Sequence, residues 1–592
     1  MKRLSTIIIV LSLFIFSCPS PFFSTQPVVT DLTILHINDT HGHILSYTEK
    51  SVSTKVPVSG AAYFARMVQG ERSKNPEGTL LLSAGDMFQG TPVSNLFNGK
   101  PVIEVMNYLS FDAMAIGNHE FDWGMEAFQN LLASSRFPYL SANIKDRHGH
   151  YLPGVKPYIM VSRKNLRIAI IGVTTPEVMY STKPGNIRGF KVYRPEDILP
   201  ELITKAKGEG AHMVIVLSHL GLDADKELAQ RVPGIHVIVG GHSHTAIKTP
   251  VIIGDTIILQ AGHYGLYLGI FELSIDTDTG KIVHYKKNRV LKKVLAGPDM
   301  PYDEVAAGIV NTYYDQIKEK FTEVVGESLV DLKRRYQRES NIGNLICDTM
   351  REETNADIAF MNSGGIRTDI PKGKITLEQV FTLLPFDNNL VTMNLTGAQI
   401  LEILEYNARQ EQGFLQASGI KTYYDVSEPV GSRVKEVYIG GKPLTKEKTY
   451  TVTTIDFLSA GGDAFKTFKE GKNLLYGTNL RDLFVSYLKK HSPVAPHIEG
   501  RIIVNTERES SKLYDKRMDF PRISFFDLQP QLYKLLRFTG EEYKPMGNFA
   551  KFCSNPGILD PFNPCSEKDQ TQVFASRRWY SPMPTLDNNI SY

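Results

Sequence analysis

Thiols are scarce in this chain. Its 592 residues include only four cysteines, Cys18, Cys347, Cys553 and Cys565. These are too few to staple a protein of this size, and no pair has zinc-knuckle spacing. Pairing of Cys553 with Cys565 in an oxidising compartment stays open, whereas Cys347, in the apolar run Leu345-Ile346-Cys347, reads as a small buried hydrophobe. Net charge is nearly absent too. The chain balances 66 Lys and Arg against 63 Asp and Glu, a formal +3, and so lacks the basic excess of a dedicated DNA or RNA binder. No long apolar run occurs beyond the N-terminus, which excludes a multi-pass membrane protein. Neither internal repeats nor low-complexity tracts are found. What remains, 42% hydrophobic and 22% charged residues, is a globular composition, with room for roughly two to four domains.

Lys2 and Arg3 precede Ile7 to Phe16, an apolar stretch broken only by Ser12 and too short for a permanent anchor. Residues 1–25 therefore read as an export signal leading to the periplasm or cell surface. Ile15-Phe16-Ser17-Cys18 is a loose lipobox. Lipidation of Cys18, which would anchor the protein to a membrane, and ordinary cleavage nearby are both open.

From Leu32 to about Gln260, short apolar runs end in polar clusters: Leu32 to Ile37 before Asn38-Asp39-Thr40-His41, and Thr79 to Leu82 before Gly85-Asp86. Ala113 to Ile116 precedes Gly117-Asn118-His119-Glu120, Val214 to Leu217 precedes Ser218-His219, and Val237 to Val239 precedes Gly240-Gly241-His242-Ser243-His244. These read as buried strands running into loops. Helix-length segments lie between them, such as Ala61 to Glu71 and Pro195 to Lys207, the latter with Pro200 expected to kink the helix or delay its start. The alternation predicts an α/β fold with polar residues gathered at strand ends, where ligands bind. Thirteen of fifteen histidines fall before residue 300, so the two halves carry different chemistry. We read 30–300 as a first domain, 301–325 as a connector helix, 326–505 as a second domain and 506–592 as an aromatic- and proline-rich extension.

The strand-end clusters supply Asp39, His41, Asp86, Asn118, His219, His242 and His244. Carboxylate, imidazole and amide ligands without thiolates suit manganese, zinc or iron. Two divalent ions about 3.5–4 Å apart need a shared carboxylate, and Asp86 can bridge them. Water between two such ions loses a proton readily, giving a hydroxide aimed at an ester phosphorus. Singly, each cluster is ambiguous: Asp-x-His reads as a turn, His242-Ser243-His244 as a hydrogen-bonded loop and Asn118 as a helix cap. Five in one α/β series favour metal.

Their order, Asp-x-His, Gly-Asp, Gly-Asn-His-Glu, Ser-His and Gly-His-x-His, resembles the calcineurin-like metallophosphoesterases. The longer strings Leu35-His36-Ile37-Asn38-Asp39-Thr40-His41-Gly42 and Gly117-Asn118-His119-Glu120-Phe121-Asp122 resemble the 5'-nucleotidase and UDP-sugar hydrolase branch. Over residues 30 to 505 the resemblance implies a four-layer αββα metallophosphoesterase domain and a smaller α/β nucleotide-binding domain. It implies Asp39, His41, Asp86 and His244 on one metal, and Asp86, Asn118, His219 and His242 on the other. His119 would be a catalytic histidine that is not a ligand, oriented by Asp122. The connector would carry a hinge motion closing the second domain over the site.

In the second half, Arg338 and Arg367 are candidate phosphate clamps, because arginine presents a fork of donors. Arg367 gains weight from Asn362-Ser363-Gly364-Gly365-Ile366-Arg367, whose glycines permit close backbone approach; Asn362 belongs to the same candidate set. Phe386 and Phe457 read alone as core residues, but they match the family's paired base-stacking aromatics, with Asn388, Gly419 and Asp463 as nearby polar contacts. Two phenylalanines favour a 5'-nucleotidase over a 2',3'-cyclic-nucleotide enzyme. The expectation is an exported two-metal phosphohydrolase releasing phosphate from nucleoside 5'-monophosphates. A UDP-sugar or NAD diphosphate hydrolase, a cyclic phosphodiesterase and a surface adhesin on an inactive scaffold stand as alternatives.

Overall fold

The computed structural model describes residues 29–183, 185–409 and 413–505; the export signal with Cys18, and the extension with Cys553 and Cys565, lie outside them. Two sheets form the centre of the N-terminal half. The first runs, in spatial order, Ile282–Tyr285, Tyr267–Asp276, Val29–Ile37, Thr79–Ser83, Ala113–Ala115 and Tyr139–Leu140. The second runs Val251–Ile253, Thr256–Gln260, Val237–Gly240, Met213–His219, Leu166–Thr174 and Tyr158–Arg163.

Alternation along these strands assigns the layers. Leu32, Ile34, Leu80 and Leu82 share one core with Met213, Ile215, Leu217 and Val237, so these faces pack sheet on sheet. The intervening Leu35, Ile37 and Leu81 pack instead with Phe64, Val68, Val102 and Met106 of the helices Ala61–Arg72 and Lys100–Tyr108. On the far side Val214 and Val216 meet Leu199, Ile203 and Leu228 of the helices Pro195–Gly208 and Leu222–Arg231. The result is the four-layer αββα order. Each fully buried Leu or Ile side chain contributes about 1.5–3 kcal/mol, and a one-residue slip would turn its face outward. Pro200 lies inside its helix, which continues past it to Gly208.

The central strands are parallel and in register at their ends: Ile37 opposite Ser83, Ser83 opposite Met114, and Gly240 opposite Ser218. Their C-terminal loops therefore open on one edge of the stacked sheets.

The helix Glu304–Tyr314 starts where the Asp303 side chain accepts the Ala306 N–H. It buries Ala306, Val310 and Tyr313 in the core shared with Ala61–Arg72 and Lys100–Tyr108, so this part of the connector packs with the N-terminal half. The chain then passes through Lys318–Phe321 into the strand Val324–Ser328. Beyond it stands a mixed five-stranded sheet, ordered Leu415–Ser418, Ile358–Asn362, Thr449–Ile455, Asn389–Thr396 and Lys472–Asn479. Helices including Asn341–Thr354 and Leu480–His491 share its core, where Cys347 is fully buried. Among the described residues, no helix is long and apolar enough to cross a membrane.

Candidate metal centre and cleft

Five of the seven candidate ligands hold a left-handed backbone: Asp39, His41, Asp86, His242 and His244 have φ between 48° and 71°. Each such non-glycine residue costs about 1 kcal/mol or more. Strain of this kind persists where the surroundings over-determine it. Here the strand ends supply that constraint, since Asp39 N–H donates to the Gly85 carbonyl and His41 N–H to the Asp86 carbonyl. Space does the rest: a Cβ on Gly117 would lie 2.1 Å from Asp86 Oδ1, and one on Gly241 3.2 Å from Asp39 Oδ2.

The loops gather donors into groups whose ligand atoms lie within 4.8 Å of one another. Asp39, His41 and His244 form one, Asp86, His219 and His242 another, and Asp86 also joins His41 and His119. His244 Nε2 is 3.4 Å from Asp39 Oδ1, and His219 Nε2 is 3.0 Å from Asp86 Oδ2. The outer nitrogens are occupied. His41 Nδ1 faces the Gln89 carbonyl at 3.0 Å and His219 Nδ1 the Ala84 carbonyl at 2.6 Å, which turns each Nε2 inward. Asn118 Oδ1 is buried without a hydrogen bond, and the Asn118 side chain caps no helix. Buried carboxylates, inward imidazoles and an unpaired amide oxygen are a donor set fitted to two divalent ions sharing Asp86.

Electrostatics couple the Asp86 carboxylate to the imidazoles around it. Burial opposes the Asp86 carboxylate, but His219 and His119 outweigh it and hold its pKa well below the usual carboxylate range. Burial likewise opposes a charged His219, yet Asp86 raises its pKa to about 10.

His119 stands beside this pair. The 3₁₀ turn His119–Phe121 brings its Nδ1 to 2.6 Å from Asp122 Oδ2, while Thr182 Oγ1 donates to Asp122 Oδ1 at 3.0 Å. Burial disfavours the imidazolium, but the Asp122 and Asp86 carboxylates prevail and its pKa is raised.

The second domain faces the same cleft of about 820 Å³. Arg367 Nη2 lies 3.3 Å from His41 Nε2, and its guanidinium sits over the Phe386 ring at 5.9 Å. Phe386 in turn is 5.7 Å from His119, ring to ring. Phe457 packs flat against Gly462, where a Cβ would come within 2.6 Å of the ring. Asn362 Nδ2 donates to Asp463 Oδ2 at 2.7 Å, and Asn388 also lines the cleft.

Two expected residues are placed elsewhere. Arg338 is exposed and does not line the cleft; its main-chain carbonyl is held by Gln416. Gly419 packs against the Asp357 carbonyl, away from the cleft. In their stead the cleft shows Arg334, four residues before Arg338, along with Gln89, Glu177, Lys183 and Tyr336. Of these only Gln89 had a local signal, its place just after Gly85-Asp86.

Comparison with known proteins accords with this geometry. Residues 32–246 match the calcineurin-like phosphoesterase family and 322–470 the 5'-nucleotidase C-terminal domain. The chain is 32% identical over 529 residues to the snake venom 5'-nucleotidase of Crotalus adamanteus, covering 80% of this chain and 88% of that one. The chain belongs to the 5'-nucleotidase family. Human 5'-nucleotidase is likewise 32% identical over 539 residues, with 80% and 91% covered. Among solved structures, the 5'-nucleotidase precursor of Thermus thermophilus superposes with a TM-score of 0.75 at 34% identity, over 81% of this chain and all of that one. The Thermus thermophilus sulfate thiohydrolase SoxB, at 22% identity and a TM-score of 0.70, shares the fold. As a family member with these paired metal-capable clusters, the protein is a metal-dependent hydrolase.

Proposed function

We propose that this protein releases inorganic phosphate from nucleoside 5'-monophosphates. One observation carries the reading: the metal-capable clusters, His119, Arg367 and the Phe386 ring meet in a single cleft. Phosphate chemistry and a flat apolar platform for a base thus lie within one nucleotide's reach. In this reading Asp39, His41, Asp86 and His244 hold one ion, and Asp86, Asn118, His219 and His242 the other. Zinc or manganese bound there would supply Lewis acidity toward the phosphoryl oxygens and make the attacking water more acidic.

The chain's own residues do the remaining work. Arg367 neutralises phosphoryl charge. His119, with Nδ1 held by Asp122, presents Nε2–H to the phosphoryl or leaving oxygen and stabilises the charge building there. Phe386 and Phe457 stack the base, and the Asn362–Asp463 pair offers polar contacts to its edge.

Hydrolysis of AMP, 3'-AMP, UDP-glucose, NAD and 2',3'-cyclic AMP, with nucleotide products separated by chromatography and inorganic phosphate assayed beside them, tests the assignment, using protein without residues 1–25, with manganese or zinc and after chelation. Metal-dependent release from AMP above the others is expected. Preference for the cyclic or diphosphate compounds would overturn the base-stacking assignment, and silence on all five with metal bound would favour a binding protein. Export is supported by the Ile7 to Phe16 run and by the precursor form named for the Thermus relative. Mass spectrometry of the mature N-terminus decides between acylated Cys18 and plain cleavage.

A further inference from the structure

One side chain at the metal end of the cleft is buried without any partner. Gln89 is 1% exposed, lines the cleft, and neither its Oε1 nor its Nε2 makes a hydrogen bond. Buried amides are almost always satisfied, so an amide left over inside a ligand cleft marks a contact the ligand supplies. Its backbone is held from both sides. The Gln89 carbonyl faces His41 Nδ1 at 3.0 Å, and the next residue, Gly90, donates its N–H to Asn95 Oδ1 at 2.8 Å. Asn95 Nδ2 then donates to the Pro385 carbonyl at 2.9 Å, beside Phe386. The main chain that carries the amide is therefore fixed, burial confines the side chain, and its polar end is unspent.

Position decides which part of a substrate it meets. The Gln89 main-chain carbonyl is tied to Nδ1 of His41, whose Nε2 lies 3.3 Å from Arg367 Nη2 and whose ring is 5.2 Å from that of His119, and the Gln89 side chain lines the cleft beside them. Under the reading proposed above, on which this inference rests, that corner receives the phosphoryl group. The base end is marked instead by Phe457 and Asp463. We propose that Gln89 is a substrate-contacting residue whose Nε2 donates to a non-bridging phosphoryl oxygen. A neutral amide adds a directed donor without adding charge to a site already holding Arg367, His119 and two cation positions. It would hold the inorganic phosphate product by the same contact.

The test compares metal-loaded wild type with Gln89→Met, which keeps the volume and removes the amide, and with Gln89→Asn, which keeps an amide on a shorter stem. Direct phosphate binding by calorimetry, product inhibition by inorganic phosphate and by nucleoside, and thermal melting are read. For Gln89→Met, phosphate affinity and kcat/KM should each fall about tenfold or more, with nucleoside inhibition unchanged. Its melting temperature should hold or rise, because an unsatisfied buried amide is removed. Gln89→Asn should also lose phosphate affinity, and it carries the same test should the methionine variant not accumulate. Unchanged phosphate affinity with a lowered melting temperature would make Gln89 structural and overturn the proposal. Weakened nucleoside inhibition with phosphate binding intact would move the contact to the sugar and overturn it as well. If wild type binds phosphate, loses it on Gln89→Met, yet hydrolyses no nucleoside monophosphate, the Gln89 assignment stands and the proposed function falls.

Discussion

Lys183 Nζ lies 2.8 Å from Asp456 Oδ2 and joins two residues 273 apart in sequence, one in each domain. Asp456 directly precedes Phe457 and is only 10% exposed at its side chain. The pair thus ties the proposed base platform to the half that carries the metal clusters. Lys183 is half exposed, so screening limits the pair to about 1 kcal/mol. Lys183→Ala should raise KM for AMP several-fold while changing kcat little, and the reversed pair Lys183→Glu with Asp456→Lys should recover part of the loss. Steady-state kinetics on the double-mutant cycle measure it; strictly additive effects would deny the coupling.

The His119–Asp122 contact predicts a different signature. In the proposed mechanism His119→Ala removes the donor that acts on charge developing in the transition state, and none of the proposed ligands. Metal content by elemental analysis should stay at wild-type level, while kcat falls about 10²–10⁴-fold. Asp122→Asn should show a smaller loss, since the ring keeps its place but loses the carboxylate that favours its charged form. Unchanged turnover in His119→Ala would remove that residue from the mechanism.

The metal end of this site was legible in the sequence because each residue sits where a parallel strand ends. Asp39, Asp86, Asn118, His219 and His242 each follow or close a short apolar run, and parallel pairing lines those ends up. The layer order could be drawn from the resemblance, and alternation in segments such as Leu32 to Ile37 agrees with it. What sequence could not supply was contact made across the cleft. Lys183, Glu177 and Arg334 carry no local pattern, and only folding brings them beside residues of the other half. Arg338 stands outside the cleft lining for a related reason: one loop, 333–338, offers several cations, and its path decides which faces inward. Glycine was ambiguous for the same cause, since Gly419 serves a tight approach to Asp357 rather than the cleft.

Asp463 carries a pH prediction. Burial pushes its pKa up to about 6, against the opposing hydrogen bond from Asn362, with Glu177, His119 and Arg367 facing it. A folded pKa above the unfolded value near 3.8 favours folding at low pH. That contribution is complete below about pH 4 and is lost as pH rises through about 6. Asp463→Asn, which can still accept from Asn362, should therefore be more stable than wild type at about pH 8 by about 2–3 kcal/mol. The advantage should vanish near pH 4. Melting curves at the two values decide it. Nucleoside inhibition should weaken in the same variant if Asp463 meets the base.

Glu120 shows how the metal site is held in shape. Fully buried, it accepts from the Asp86 N–H at 3.0 Å, the Met87 N–H at 2.9 Å and the Gly117 N–H at 2.6 Å. One carboxylate thus pins the two loops that carry Asp86 and Asn118. Glu120→Gln keeps the size but turns an amide donor toward at least one of these donors, so a loop bond must break and Asp86 must shift. Metal affinity by calorimetric titration should fall about 10–100-fold, and kcat should be regained in part at saturating metal. A variant with wild-type metal affinity would show that Gly85, Gly117 and the strand ends position Asp86 without help from this carboxylate.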